Sequence, residues 1–329
     1  MSRKDSDVRA RIERYQQLCE AGEASLVAEA TRKALTDRHY LLVSRAAELC
    51  AERLIYDLET SLIQAYGRLL ENPVKKDPSC TAKGAIARAL LALDSQDSHF
   101  YVAGIHYRQL EPVWGGTVDT AVDLRCTCAM GLVGTPYPRA LIELVTLLHD
   151  PEPHARSGAA RAIACTEPLA AEAVLCCKAL AGDPEVEVVG ECFTGLLKVE
   201  PDEAPPFVAR FLDGLDPAIR EQAALALGES RLDTALQILR ERWEAQPLKR
   251  DKDRVLLRAA ALHRSEAAFD WLCSVVANGD KASASLLVQE LAVCRGNKRL
   301  REWMRTAVER RGDSLLQEDF EQRWSLEKD

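Results

Sequence analysis

Apolar residues recur at three- and four-residue steps along almost the whole chain, with polar residues between them. This spacing is typical of helices that bury one face and expose the other. No segment shows the alternation of apolar and polar residues that a half-buried strand requires, so we expect an all-α protein. The predicted helices span residues 7–20, 23–35, 40–53, 55–70, 81–93, 97–108, 119–133, 140–149, 155–165, 170–181, 186–199, 207–215, 218–229, 234–245, 253–263, 266–277, 282–294, 301–311 and 315–324.

Four copies of one helical pattern follow each other between residues 119 and 227. The same position of the pattern holds Arg125, Arg156, Val189 and Arg220, at steps of 31, 33 and 31 residues. A period of this length accommodates two short helices and two turns. Because each such repeat buries its apolar face against its neighbours, we predict an α-solenoid of stacked antiparallel helix pairs.

The solenoid is expected to form a single domain over residues 1–329, since no linker rich in glycine, serine or proline divides the chain. We assign residues 1–22 to an N-terminal capping helix, 23–295 to about eight helix pairs and 296–329 to C-terminal capping helices. Small residues of the repeats should face neighbouring helices, namely Ala159, Ala160, Ala223 and Ala224.

In two of the copies an aspartate precedes the arginine by six residues, as Asp119 with Arg125 and Asp150 with Arg156. In this feature the chain resembles HEAT-repeat proteins, particularly the short bacterial HEAT-like repeats related to phycobilisome-lyase subunits. The resemblance implies an armadillo-type helical fold and specifies no activity.

The other two copies depart from this spacing, because Asp183 is followed by Val189 and Arg220 is preceded by Gly214. The resemblance implies a charged ladder, in which these aspartates and arginines pair along successive repeats. We expect the ladder to be interrupted at these two copies. We expect the arginines to be structural, pairing with turn aspartates or with carbonyl groups of adjacent repeats.

The net charge of −8 is unevenly distributed. Residues 140–216 hold 14 acidic and five basic residues, a local charge of −9, whereas residues 295–311, with Trp303, hold seven basic and two acidic residues, a local charge of +5. Charges on solenoid helices commonly do no more than solvate the surface. An acidic centre nevertheless repels phosphate backbones, so we favour a protein or peptide partner, of basic character, over nucleic acid.

The sequence contains no apolar run of about 18 residues and its N-terminus is polar, which predicts a cytoplasmic protein without a membrane segment. The 11 cysteines include no Cys-x-x-Cys pair, so no metal or cofactor is expected. Six of them are predicted to be small core residues in a reducing compartment: Cys126, Cys128, Cys165, Cys176, Cys177 and Cys192.

Enzyme motifs are missing from the sequence. It lacks the His-Glu dipeptide with which the similar repeats of deoxyhypusine hydroxylases hold iron, and its six histidines lack helical metal-ligand spacing. A Gly-x-Ser-x-Gly elbow and glycine-rich phosphate loops are also missing, although a Ser/His/Asp arrangement remains open. A second enzyme class, the HEAT-like alkylpurine DNA glycosylases, would use Trp114, Asp119 and Arg125, but the acidic centre argues against duplex binding.

Residues 100–125 have a composition that the repeat does not require. Four of the chain's 18 aromatic residues fall in the first 15 positions, and the turn over 111–117 is longer than the other turns. Long turns on a rigid scaffold commonly carry binding residues. The candidate binding residues are His106, Tyr107, Arg108, Glu111, Trp114, Asp119 and Arg125.

Two interpretations of this stretch are open. In the first, Trp114 folds back and fills a gap where wide N-terminal repeats meet the narrower ones. In the second, Trp114, Tyr107 and His106 line an aromatic pocket for a peptide or small ligand, with the charged candidates supplying polar contacts.

The function that these observations favour is a non-enzymatic protein-binding scaffold or adaptor that uses the solenoid surface. The alternative is a HEAT-like enzyme or ligand-binding protein, resembling a DNA base glycosylase or a lyase, with a pocket around Trp114. The sequence specifies neither the identity of the partner nor the oligomeric state.

Overall fold

The computed structural model describes residues 3–245 and 254–325. The described residues form twenty α-helices and one short two-stranded sheet, and none of these helices is long and apolar enough to cross a membrane. The helices are α1 (Arg3–Ala21), α2 (Ala24–Leu35), α3 (Tyr40–Arg53), α4 (Glu59–Leu69), α5 (Pro73–Lys76), α6 (Thr81–Ala92), α7 (Ser98–Ile105), α8 (Val122–Val133), α9 (Ala140–Leu147), α10 (Pro153–Ile163), α11 (Pro168–Ala181), α12 (Val186–Val199), α13 (Ala204–Ala209), α14 (Pro217–Ser230), α15 (Asp233–Ala245), α16 (Val255–His263), α17 (Glu266–Asn278), α18 (Lys281–Glu290), α19 (Lys298–Arg311) and α20 (Ser314–Trp324).

The helices belong to two compact units, Met1–Glu167 and Pro168–Asp329. In the first unit α3, α6, α8 and α10 lie side by side, and each packs against a partner, α2, α4, α7 and α9 respectively. In the second unit α12, α14, α16, α18 and α20 form a similar row with α11, α13, α15, α17 and α19 as partners. This repetition of helix pairs confirms the predicted all-α solenoid class, while one continuous domain over 1–329 stays a prediction.

Small residues allow the helices of each row to approach closely. Ala159, Ala160, Ala223 and Ala224 are fully buried, as predicted. At Gly228 a β-carbon would overlap the main chain of Ala259 on α16, so this contact requires glycine. The low aromatic content of the chain therefore follows from the short distance between neighbouring helices.

We expect Ala223→Leu and Ala224→Leu to lower the free energy of unfolding by about 1–3 kcal/mol each, because both positions are already filled by neighbouring helices. Ala218→Leu is the matched control, since Ala218 lies on the exposed first turn of the same helix. Chemical denaturation monitored by circular dichroism measures all three variants. Equal denaturation midpoints for the buried and exposed substitutions would contradict the packing described.

One departure from the helical prediction is a β-hairpin, which lies where the sequence indicated a long turn over 111–117. Strands β1 (Leu110–Val113) and β2 (Gly116–Asp119) pair antiparallel, with Leu110 opposite Asp119. The expectation that the chain contains no strand was therefore wrong. The usual alternation is missing because the hairpin is exposed over most of its length, so neither face needs a row of apolar side chains.

Most other predicted helices coincide with observed ones to within a few residues. The helix predicted over 119–133 begins only at Val122, because Asp119 ends β2, and the helix predicted over 97–108 ends at Ile105. Three parts of the predictions lie outside the described residues, namely 1–2, 246–253 and 326–329.

The prediction that six cysteines lie in the core is confirmed only in part. Two of them, Cys128 and Cys192, are buried, and Cys126 and Cys176 are partly exposed. Cys165 and Cys177 are exposed, so the prediction was wrong for these two. The reason is that Cys165 follows the end of α10 and Cys177 lies on a face of α11 that does not pack.

Candidate functional site

The β-hairpin of the first unit presents apolar side chains to solvent. Trp114, at the turn, has a relative exposure of 104%, and Leu110, Val113 and Val118 are exposed by 60%, 50% and 45%. Gly115 completes the turn with φ of +89°, in the left-handed region that glycine adopts without strain. The hairpin thus carries a small apolar surface with a tryptophan at its tip.

This position of Trp114 excludes the interpretation that its side chain fills a gap between repeats. The aromatic pocket is not formed either, because a fully exposed Trp114 encloses no space with Tyr107 or His106. The Tyr107 ring instead packs edge-on against Tyr66, with 6.5 Å between ring centroids. The imidazole of His106 is half-exposed, and its Nε2 lies 2.8 Å from the carboxylate of Glu143.

Five of the seven candidates lie together at the base of the hairpin, and we call these residues with their partners the hairpin-base network. Its centre is the buried guanidinium of Arg125. Arg125 Nη1 donates to Asp119 Oδ2 at 2.7 Å and to the carbonyl oxygen of Tyr107 at 3.0 Å. Arg125 Nη2 donates to Asp150 Oδ1 at 3.2 Å. One side chain therefore joins the hairpin, the loop before it and the next repeat.

Arg108 completes the charge balance of this network. Its Nη2 donates to Asp150 Oδ2 at 2.9 Å, and its Nη1 lies 3.7 Å from Asp119 Oδ2. Arg125 Nε also lies 3.2 Å from Asp150 Oδ2, although the direction of the N–H does not suit a hydrogen bond. Two arginines thus face two buried aspartates, which avoids leaving an unpaired charge in the interior.

Glu111 fastens β1 to the turn that precedes α6. Its Oε1 accepts hydrogen bonds from the Ser79 amide at 2.6 Å, from Gln109 Nε2 at 2.7 Å and from Thr120 Oγ1 at 2.8 Å. Burial alone would raise the pKa of Glu111, but these hydrogen bonds outweigh it and hold the pKa below its usual value. The carboxylate is therefore ionised and fixed at neutral pH.

Asp119 is held in the ionised form by the same balance. Burial would raise its pKa, whereas hydrogen bonds from the amides of Ala121 and Gln109 and from Arg125 lower the pKa below its usual value. Groups whose pKa is depressed by folding stabilise the folded state above their usual pKa, and this contribution is lost as the carboxyl is protonated.

We therefore expect acidification to weaken the first unit. The melting temperature should fall as the pH drops below the ordinary pKa values of 4.5 for Glu111 and 3.8 for Asp119. Thermal unfolding measured over an acidic pH series checks this, with Glu111→Gln as a control that lacks one of the titrating groups. If the variant loses stability on acidification as steeply as the wild-type chain, Glu111 is not one of the responsible groups.

A further pair in the network, Asp77 with Lys83, was not among the sequence candidates. Both side chains are fully buried, and Lys83 Nζ lies 2.8 Å from Asp77 Oδ2. Gln109 Nε2 donates to the carbonyl of Asp77 at 2.8 Å, which links this pair to the hairpin. Asp77 precedes Lys83 by six residues, the same separation as between Asp119 and Arg125. A search of the sequence for an aspartate six residues before either arginine or lysine would therefore have found this pair.

The predicted structural role of the repeated arginines is supported by their contacts. Arg156 Nη1 donates to the carbonyls of Asp150 and Pro151, at 2.9 and 3.0 Å, and Arg220 Nη1 donates to the carbonyl of Gly214 at 3.1 Å. Asp183, which is followed by Val189 in place of the arginine, forms a 2.7 Å ion pair with Lys178. The interruption of the charged ladder at this copy stays a prediction.

The chemical character of the site is that of a fixed polar framework. The carboxylates of Asp119 and Glu111 are ionised and hydrogen-bonded, and burial raises the pKa of the nearby Cys80 thiol to about 12, so the thiol stays protonated. Within the described residues no three His, Cys, Asp or Glu side chains are grouped as metal ligands. These contacts position the hairpin.

Comparison with known proteins gives no family assignment. No family model matches the chain, and no curated protein matches it. Among solved structures, the complex of CpcE and CpcF of phycocyanin lyase from Nostoc sp. PCC7120 aligns over 87% of this chain and 96% of that chain, at 15% identity and a TM-score of 0.34. An engineered protein aligns over 96% and 94% of the two chains, at 17% identity and a TM-score of 0.36. These similarities are too weak for conclusions about function.

Proposed function

We propose that this protein is a non-enzymatic protein-binding scaffold and that the β-hairpin is its contact element. The observation that carries the proposal is the complete exposure of Trp114 at the tip of the hairpin. The base of the same hairpin is held to neighbouring helices and turns by the hydrogen bonds of Glu111 and Asp119. Tryptophan is among the side chains that contribute most to binding energy in protein interfaces.

The hydrogen bonds and ion pairs at the base of the hairpin hold Trp114 in a defined position before a partner binds. A contact residue that is already held in its bound position loses little conformational entropy on association, so more of the interaction energy appears as affinity. Buried ionic groups cost free energy to desolvate, and the hairpin-base network concentrates several of them under one short hairpin. We infer that this network fixes the orientation of the hairpin relative to the helices, as binding of a partner through Trp114 requires.

The candidate residues divide into two roles under this proposal. Trp114 contacts the partner. Positioning of the hairpin is the role of the buried or hydrogen-bonded candidates, namely Tyr107, Arg108, Glu111, Asp119 and Arg125. His106 lies apart, on the surface beside Glu143. We further propose a protein or peptide partner in the cytoplasm, of basic character as the acidic stretch 140–216 suggests.

The alternative function, an enzyme or ligand-binding protein with a pocket around Trp114, has less support. An indole exposed on all sides encloses no substrate, and the nearby charged groups are engaged with one another. No observation on the described residues favours this alternative over the scaffold.

Affinity capture from the native host tests the proposal. Wild-type protein, Trp114→Ala and Tyr56→Ala are immobilised separately, and the retained proteins are identified by mass spectrometry. Tyr56 is a suitable control because it is an aromatic residue of the same unit, exposed by 58% but outside the hairpin. We expect a partner that is retained by the wild-type and Tyr56→Ala proteins and lost from Trp114→Ala. Retention of the same proteins by all three would refute the role of the hairpin.

A further inference from the structure

The hydrogen-bond register of the hairpin determines which main-chain groups point away from it. The Thr120 amide donates to the carbonyl of Gln109 at 3.0 Å, one residue beyond the Leu110–Asp119 end of the ladder. The Gln109 amide donates to the Asp119 carboxylate and not back to Thr120, but the single bond places Gln109 and Thr120 at a position of the hydrogen-bonded type. In an antiparallel ladder such pairs alternate with pairs whose N–H and C=O groups point outward. With Pro112 opposite Thr117, this alternation makes Pro112–Thr117 a pair of the outward type.

The two edges of the hairpin are consequently different. On β1 the outward position 112 is a proline, which has no N–H, so this edge lacks a donor at its centre. On β2 the outward position is Thr117, which has both an N–H and a C=O and is exposed. No hydrogen bond to the Thr117 main chain from elsewhere in the described part of the chain is observed. Proline protects one edge, and the other is open.

We propose that the partner contributes an extended segment that pairs with the open edge of β2 as a third strand; this inference rests on the proposed function of the hairpin. Addition of a strand to an exposed edge is an established mode of peptide recognition, in which main-chain hydrogen bonds give affinity and side chains give specificity. Thr117 supplies the main-chain donor and acceptor. Trp114 and Val118 supply the adjoining apolar contacts.

The size of the exposed surface favours a segment of another protein over a second copy of this chain. A fully exposed tryptophan presents on the order of 250 Å², and the other apolar side chains of the hairpin are only about half exposed. The exposed apolar area of the hairpin is therefore smaller than the roughly 800 Å² per partner that a standard stable interface buries. A single extended segment with an apolar residue opposite Val118 matches this smaller surface.

Peptide selection followed by hydrogen exchange tests the inference. A phage-displayed library of random linear peptides is selected on the wild-type chain, and the selected peptides are measured on Trp114→Ala, Thr117→Pro and Leu110→Pro. The last variant is the matched control, because Leu110 is the second outward position of β1, so a proline there leaves the β2 edge intact. We expect binding to weaken at least about tenfold in Thr117→Pro, as for a lost hydrogen bond, and to be retained in Leu110→Pro.

Exchange of the Thr117 amide gives a second readout that does not depend on a variant being folded. In the wild-type chain this amide should exchange rapidly when free and become protected when a selected peptide binds. If peptides require Trp114 but leave the Thr117 amide unprotected, edge pairing is wrong and the proposed function stands. If no peptide is selected, or if selected peptides bind Trp114→Ala as well as wild type, edge pairing is also wrong. A wild-type dimer that becomes monomeric in Thr117→Pro would assign the edge to a second copy instead.

Discussion

Arg125→Met is expected to lower the free energy of unfolding by about 3–5 kcal/mol, the cost typical of breaking a buried ion pair by removing one partner. Among the described ion pairs of Asp119 and Asp150, those with the half-exposed Arg108 would then remain to balance two buried carboxylates. The carbonyl of Tyr107 would also lose its donor. Denaturation followed by circular dichroism measures the loss.

Matched variants separate the network from the general effect of losing an arginine. Arg88 is an exposed arginine of α6, so Arg88→Met should change the unfolding free energy by less than about 0.5 kcal/mol. Asp119→Asn combined with Arg125→Met should cost less than the sum of the two single changes, because removal of one charge relieves the other. An Arg125→Met protein as stable as wild type would show that the network does not hold the hairpin base.

Trp114→Ala should have the opposite profile, with a large effect on binding and almost none on stability. Loss of an interface tryptophan commonly costs at least about 2 kcal/mol, which corresponds to about thirtyfold in the dissociation constant of the captured partner. Because the side chain is fully exposed, the unfolding free energy should change by less than about 0.5 kcal/mol.

Calorimetric titration with the captured partner and parallel melting curves measure both quantities. Tyr56→Ala serves again as the control for removing an exposed aromatic ring from the same unit. Binding of the partner to Trp114→Ala with wild-type affinity would remove Trp114 from the interface. A marked fall in melting temperature would show that the side chain packs against the protein.

The fold was predictable because its signals are local and repeated. The three- and four-residue spacing located most helices, and the recurrence at Arg125, Arg156 and Arg220 located the repeats. Ala223 and Ala224 were placed in the core by the same pattern, and both are buried. A position that faces a neighbouring helix in every repeat holds a similar residue in every repeat. The pattern is therefore seen several times in the sequence, which made the prediction of the helices reliable.

The hairpin was not predictable in this way, since it occurs once and buries neither face. Its strands are specified by Gly115 in the turn and by polar contacts at the base, such as that of Glu111 with Ser79, which lies 32 residues away. Such long-range contacts leave no periodic trace in the sequence. The environment of Trp114 was equally inaccessible, because only the three-dimensional arrangement shows whether a turn folds back or projects.

Part of the hairpin-base network could be predicted. The spacing of Asp119 with Arg125 and of Asp150 with Arg156 correctly indicated structural arginines. The bond from Arg125 to Asp150 joins two repeats and follows from the same ladder. By contrast, Gln109 has no charge or spacing that distinguishes it, although its buried side chain joins Glu111 to the main chain of Asp77.

The central claim, that the hairpin is the contact element for a protein partner, is tested most directly by hydroxyl-radical footprinting of the complex. Oxidation of Trp114 is compared in the free chain and in the chain saturated with the captured partner, with Tyr56 as the internal reference. We predict strong protection of Trp114 on binding and unchanged oxidation of Tyr56. A saturated complex in which Trp114 is oxidised as fast as in the free chain would contradict the claim.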